Sequence, residues 1–194
     1  RKDTMRSAVR SVSRACALGR HLTYKARLRD QSFVINELLD YPSHYAKLGA
    51  TDATPDMVES INSEAAKFCE QTLIDLYQEG DKGCVLKDGK VTTPKGWKEA
   101  YQQYAEGGWS GLTVPTEYGG QGMPNSMGMM RSEFVATANW AWGMYPGLSI
   151  GAIETILLHG TEEQKQTYLP HMAAGTWTGT MDLTEAQAGT DLNQ

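Results

Sequence analysis

The stretch Trp177-Thr178-Gly179-Thr180-Met181-Asp182-Leu183-Thr184-Glu185-Ala186-Gln187-Ala188-Gly189-Thr190-Asp191 decides how this chain is read. Its first half, with three threonines and a tryptophan, predicts a strand over 177–184. The second half is built of small residues and predicts a turn whose backbone N–H groups face a common acceptor. Gly189 has no Cβ to keep a ligand away from the backbone, and Thr184 and Thr190 add hydroxyl donors. Three residues follow Asp191, so a strand at 177–184 has no later strand in this sequence to pair with. An edge of that kind leaves N–H and C=O groups open. A protein partner or a continuation of the chain is therefore expected to cover it.

Upstream of residue 176 the signals are helical. Thr161-Glu162-Glu163-Gln164 is a capping box and predicts a helix running to Gly175. Two more helices are expected over 125–142, rich in methionine, and over 148–159, closed by Gly160. Between 113 and 122 lies a loop with Gly119, Gly120 and Gly122. It lacks the lysine of a phosphate-binding loop and does not spell G-x-G-x-x-G, which argues against a nucleotide site. Thr93-Pro94 opens a helix bearing Trp97, Tyr101 and Tyr104, ended by Gly107-Gly108. Asp88-Gly89 sits between two short β-prone runs, 84–86 and 91–93, as the turn of a hairpin. Thr54-Pro55-Asp56 gives an N-cap, a proline at the first helical position and an acid in the first turn. The longest predicted helix follows, with Val58, Ile61, Ala65, Phe68, Thr72 and Leu76 at helical spacing up to Gly80. An earlier helix over 33–40 is expected to put Val34, Leu38 and Tyr41 on the same core. The fold class is thus mainly α: a helical domain over 30–176, then the first strand of a truncated β-domain over 177–194.

At 194 residues and 40% hydrophobic content the chain can build one or two compact units. The net charge of −5 is unevenly spread. Residues 1–29 hold nine Lys/Arg against Asp3 alone, a net +8, which leaves −13 on the remainder. The acidic body gives no nucleic-acid footprint. Arg6, Arg10 and Arg14 recur every four residues beside Val9, Val12, Ala15 and Leu18. This basic amphipathic pattern predicts a mitochondrial transit segment, or else a basic arm. No apolar run is long enough to span a membrane.

Cys16, Cys69 and Cys84 form no paired motif, and Cys69 falls on the apolar face of a predicted helix. His44, His159 and His171 lack acids at metal-ligand spacing, so no metal site is predicted. Glu59, Glu64, Glu70 and Asp75 read as a solvated helix face. The tryptophans 97, 109, 140, 142 and 177 and the methionines 123, 127, 129, 130 and 144 read as core or pocket wall.

Met181 to Asp191 closely resembles the L-T-E-P-x-A-G-S-D signature of acyl-CoA dehydrogenases. The helical run, the Glu117-Tyr118-Gly119-Gly120-Gln121-Gly122 loop and the His159 to Pro170 segment occur in the order found in that family. The resemblance spans roughly residues 24–194. Val91 to Gly96 and the Leu28-Arg29-Asp30 start are similar to the branch that includes 3-methylthiopropanoyl-CoA dehydrogenases. The resemblance implies FAD as cofactor and an acyl-CoA as substrate of the complete enzyme. It implies a carboxylate from a later helical domain that removes the α-proton while the β-hydrogen leaves as hydride to flavin N5. It places Met181, Leu183, Thr184, Gly189 and Thr190 against the flavin, with Leu183 and Thr184 near the isoalloxazine and Gly189 and Thr190 near the pyrophosphate or CoA side, so that Thr190 also counts as substrate-binding. No catalytic residue is assigned within the chain. Asp182 stands where the family usually has a small or apolar residue, and on an alternating strand it would share a face with Thr184. Ala186 replaces the usual proline.

These readings imply the N-terminal part of an FAD-dependent acyl-CoA dehydrogenase, inactive as this chain alone. The alternative is a non-catalytic accessory subunit of a mitochondrial complex derived from such an enzyme. A weaker third is a flavin- or acyl-carrier-binding module without turnover.

Overall fold

The computed structural model describes residues 23–191. Arg6, Arg10, Arg14 and the rest of the predicted amphipathic face lie outside the described residues, as does Cys16. The end of the basic segment belongs to the body. Ala26 is buried, the Tyr24 hydroxyl lies 2.8 Å from Thr137 Oγ1, and Glu70 accepts from Lys25 Nζ and from the Ala26 N–H, both at 2.9 Å. Glu70 is therefore an anchor for the incoming chain rather than part of a solvated face.

Helix α1 (Leu28–Ser32) continues through a widened turn over Phe33–Leu38. Next come α2 (Tyr41–Lys47) and α3 (Pro55–Phe68). The latter runs on through a widened turn (Cys69–Leu73) and a tightened one (Ile74–Leu76) into α4 (Tyr77–Gly80). Strands β1 (Val85–Lys87) and β2 (Lys90–Thr92) pair antiparallel, Val85 opposite Thr92 and Lys87 opposite Lys90. They are followed by α5 (Trp97–Glu106), α6 (Asn125–His159) and α7 (Glu162–Ala173).

The local signals act as expected. Thr54 Oγ1 accepts from the Met57 N–H at 3.3 Å. Thr161 and Gln164 exchange both capping-box bonds, at 3.3 and 2.8 Å. Asp88 and Gly89 take φ of 51° and 72°, the left-handed pair that a two-residue hairpin turn needs.

Helix α5 starts at Trp97, after Gly96 in a left-handed conformation, rather than at Thr93-Pro94, and α2 was not expected. The first helix and α6 also differ from expectation. In the first helix Ile35 faces the core, while Val34 and Leu38 are exposed. The Leu39 N–H reaches back five residues to Val34 O at 2.9 Å, and this wider turn rotates the apolar positions away from a 3.6-residue register. In α6 the break falls at Asn139, not at Gly143 to Gly147. Asn139 has φ −159° and ψ 86°, its Oδ1 accepts from the Trp142 N–H at 3.1 Å, and its Nδ2 donates to Leu73 O at 3.1 Å. It caps a second arm, and Pro146 is carried inside that arm. We refer to residues 125–138 and 140–159 as the two arms of α6.

The main core lies between α3, α5 and α6, where Cys69, Leu73, Tyr104, Phe134 and Trp142 are almost fully buried. Trp142 meets Phe68 and Tyr104 edge-on, with ring centroids 5.7 and 5.5 Å apart. A second cluster joins Ile35, Tyr45 and Val58 to Met127 and Met130. A third joins Val114 and Tyr118 to α7 and the second arm. The glycine loop clasps itself: Gln121, Gly122 and Met123 donate to the carbonyls of Gly111, Val114 and Leu112 at 2.8–3.0 Å. A Cβ at Gly120 would stand 2.0 Å from Val114 O, so glycine at 120 serves this packing.

Candidate functional site

Helix α7 ends at Ala173, and Gly175, with φ 71°, turns the chain back over it. The N–H groups of Thr176 and Trp177 both donate to His171 O, at 3.0 and 3.2 Å. The Trp177 indole stacks on the His171 ring with centroids 4.3 Å apart. Beyond it the chain runs along the second arm of α6. Tyr145 donates to Thr178 Oγ1 at 3.4 Å, and the Gly179 N–H donates to Ser149 Oγ at 3.1 Å. A Cβ at Gly179 would stand 2.4 Å from the Ala152 Cβ, so the backbone lies flat on the helix only because residue 179 is glycine.

Past Gly179 the chain leaves the body. Residues 177–184 form no strand ladder, contrary to the expectation from their composition. Strand structure is made by hydrogen bonds to a neighbour, and among the described residues the only ladder is β1–β2. Met181 and Leu183 are 61% and 53% exposed, and Thr184, Gly189 and Thr190 are exposed as well. The turn itself is present: the Glu185 N–H donates to Ala188 O at 2.9 Å. It brings Thr184 and Gly189 together, since a Cβ on Gly189 would lie 3.7 Å from Thr184 Cγ2. Asp182 is exposed and shares no strand face with Thr184.

The sharp corner at Asn139 folds the arms of α6 against each other, leaving a cleft of about 410 Å³ between them. Tyr104, Arg131 and Val135 line one side, and Trp140, Gly143, Met144, Pro146 and Gly147 the other. A Cβ at 147 or at 151, one turn further on, would meet nothing within 4 Å, so the missing side chains leave open space on this arm. Of the expected wall residues, Met127, Met130 and Trp142 are core, while Trp140 and Met144 are exposed at the cleft mouth. In the sequence Arg131 follows Met127, Met129 and Met130, and this methionine cluster masks it. One arginine on the buried face of an apolar helix was the available signal. It is 5% exposed and donates to Trp109 O at 2.6 Å and to Ser132 Oγ at 3.4 Å.

The described residues hold no group of side chains that could bind a metal ion, and no described helix is long and apolar enough to cross a membrane. Burial pushes the Cys69 thiol up to about 12, which marks it as a core residue rather than a nucleophile.

Comparison with known proteins agrees with this architecture. The family described as acyl-CoA dehydrogenase, N-terminal domain, matches residues 55–176. The 3-methylmercaptopropionyl-CoA dehydrogenase of Ruegeria pomeroyi is 37% identical over 174 residues, 89% of this chain and 30% of that protein. The structure of butyryl-CoA dehydrogenase from Megasphaera elsdenii superposes with a TM-score of 0.58 at 25% identity, covering 70% of this chain and 34% of that one. An acyl-CoA dehydrogenase from Bacillus anthracis, solved in complex with FAD, gives 0.53 at 27% identity, covering 68% and 21%. The chain spans about a third or less of the length of these relatives. They are named as dehydrogenases and lend the accessory-subunit alternative no support. A helical body matched from residue 55 to 176, with the turn of 181–191 issuing from its last helix, makes this chain a member of the acyl-CoA dehydrogenase family, corresponding to its N-terminal domain.

Proposed function

We propose that this chain is the N-terminal part of an FAD-dependent acyl-CoA dehydrogenase, which oxidises the α,β-bond of an acyl-CoA thioester. The observation that carries the reading is the docking of Trp177 to Gly179 on α7 and the second arm of α6, which delivers residues 181–190 to solvent with backbone and hydroxyl donors unburied. Those donors suit a flavin ring rich in carbonyl and nitrogen acceptors, and the closeness of Thr184 and Gly189 gives a surface without bulk. Bound FAD would supply the acceptor for the hydride that leaves the β-carbon.

In this reading Met181, Leu183 and Thr184 line the ring, while Gly189 and Thr190 lie by the pyrophosphate or the CoA side. The second arm has two faces. Tyr145, Ser149 and Ala152 hold the tail, and Met144 and Gly147 line the apolar cleft in which an acyl chain would lie. The base that takes the α-proton is assigned to no residue among these 194. The basic pattern within 1–29 supports a mitochondrial address.

The test is an anaerobic spectrum of the natural protein. We expect a flavin absorption that bleaches on adding an acyl-CoA, and no turnover from residues 1–194 alone with added FAD. A natural protein without flavin, or one whose flavin no acyl-CoA reduces, would refute the proposal.

A further inference from the structure

We propose that Arg131 makes the cleft between the α6 arms selective for acyl groups that end in a carboxylate; the inference rests on the dehydrogenase reading above. Among the described residues Arg131 is the only buried side chain that carries a charge. Its guanidinium offers five N–H donors, and the acceptors found for it, Trp109 O and Ser132 Oγ, are both neutral. No carboxylate of a described residue comes within ion-pair distance. Even Glu154, which lines an adjoining cavity together with Arg131, is exposed and unpaired with it. Tyr104 lies beneath, its ring centroid 5.7 Å from the guanidinium carbon.

A buried cation held only by neutral oxygens is poorly compensated. In an apolar cleft of this size a ligand carboxylate supplies the missing charge. The walls bear on the same point. Trp140, Met144, Pro146 and the open space at Gly147 accept methylene groups, while Arg131 is the one ionic feature of the lining. An acyl chain entering by the glycine side would set its far end against the guanidinium. A neutral chain of equal length would leave the cation unanswered, and a site built to bond a polar group rejects the analogue that lacks it.

The experiment compares the natural protein, with its flavin, and its R131M variant. The readouts are kcat/KM for adipoyl-CoA and hexanoyl-CoA and calorimetric binding of free hexanoate and of hexan-1-ol. The preference for adipoyl-CoA over hexanoyl-CoA, read as the ratio of the two kcat/KM values, is expected to fall about 100-fold in R131M. Hexanoate should bind only the unmodified protein, and hexan-1-ol both. If R131M does not fold, R131K, which keeps the charge without the planar fork, should show a partial loss of preference. Equal losses on both thioesters, or hexanoate binding independent of residue 131, would overturn the proposal. The same holds for hexanoate failing to bind the unmodified protein, as it would if a carboxylate from outside these residues already paired with Arg131. Absence of all acyl-CoA turnover with Arg131-dependent hexanoate binding intact would refute the dehydrogenase reading and support the carboxylate site.

Discussion

Cys69 and Cys84 show how far one residue type is governed by its surroundings. Cys69 is wholly buried against α6, and desolvation of its thiolate pushes the thiol up to about 12, while Cys84 is exposed at the foot of the hairpin. Iodoacetamide at pH 8 should therefore alkylate Cys84 and spare Cys69 until the protein is unfolded in guanidinium, as peptide mass mapping would record. Equal labelling of the two in the native protein would contradict the packing described. The glycines make a similar point. Gly120 and Gly179 look alike in sequence, yet one is required by a carbonyl of its own loop and the other by a helix 27 positions earlier, at Ala152. Neither partner is adjacent in the sequence, which is why the residue alone does not name its role.

At the level of elements, the helix starts at Thr54 and Thr161 were legible because the capping group lies three residues from the N–H it serves; the start at Asp40, capped in the same way, was read instead as a helix end. The corner of α6 was not legible. Gly143, Pro146 and Gly147 give the stronger local breaker signal, yet the chain turns at Asn139, whose amide satisfies both the new helix start and the Leu73 carbonyl where α3 tightens. Asn139→Ala is expected to cost about 1 to 3 kcal/mol, from a lost cap and a buried carbonyl left without its donor. The urea midpoint would measure it. Asn139→Asp, which keeps the cap acceptor but not the donor, should fall at or beyond the same loss, because its charge is buried. A change below a few tenths of a kcal/mol in the alanine variant would mean that the corner is held elsewhere.

Across the whole molecule, Glu70 joins the entering segment to α3. The Lys25 ammonium, helped by the Ala26 N–H, holds its carboxyl below the ordinary carboxylate range. The folded form thus binds this proton less readily than the unfolded chain. Its contribution is present at neutral pH and is lost as pH falls through the ordinary carboxylate value toward the depressed one. The melting temperatures of wild type and Glu70→Gln, followed from pH 7 to pH 3, should differ most near neutrality and converge in acid. Lys25 is 84% exposed, so the gap should also shrink with added salt. A gap that widened on acidification would reverse the assignment.

What the sequence by itself determined were the features made by neighbours within a few residues: the helical composition, the caps, the Asp88-Gly89 hairpin turn and the Glu185 to Ala188 turn that carries the family signature. Tertiary structure alone decided that Ile35 rather than Val34 or Leu38 meets the core, that α6 bends at Asn139, that Arg131 is buried in a cleft, and that the chain after α7 is pinned to α6 at Gly179. The division has one physical cause. A cap or a tight turn closes its hydrogen bonds within its own few residues. A strand, a buried charge and a helix corner take theirs from groups tens of residues away, and only the folded chain brings those groups within reach.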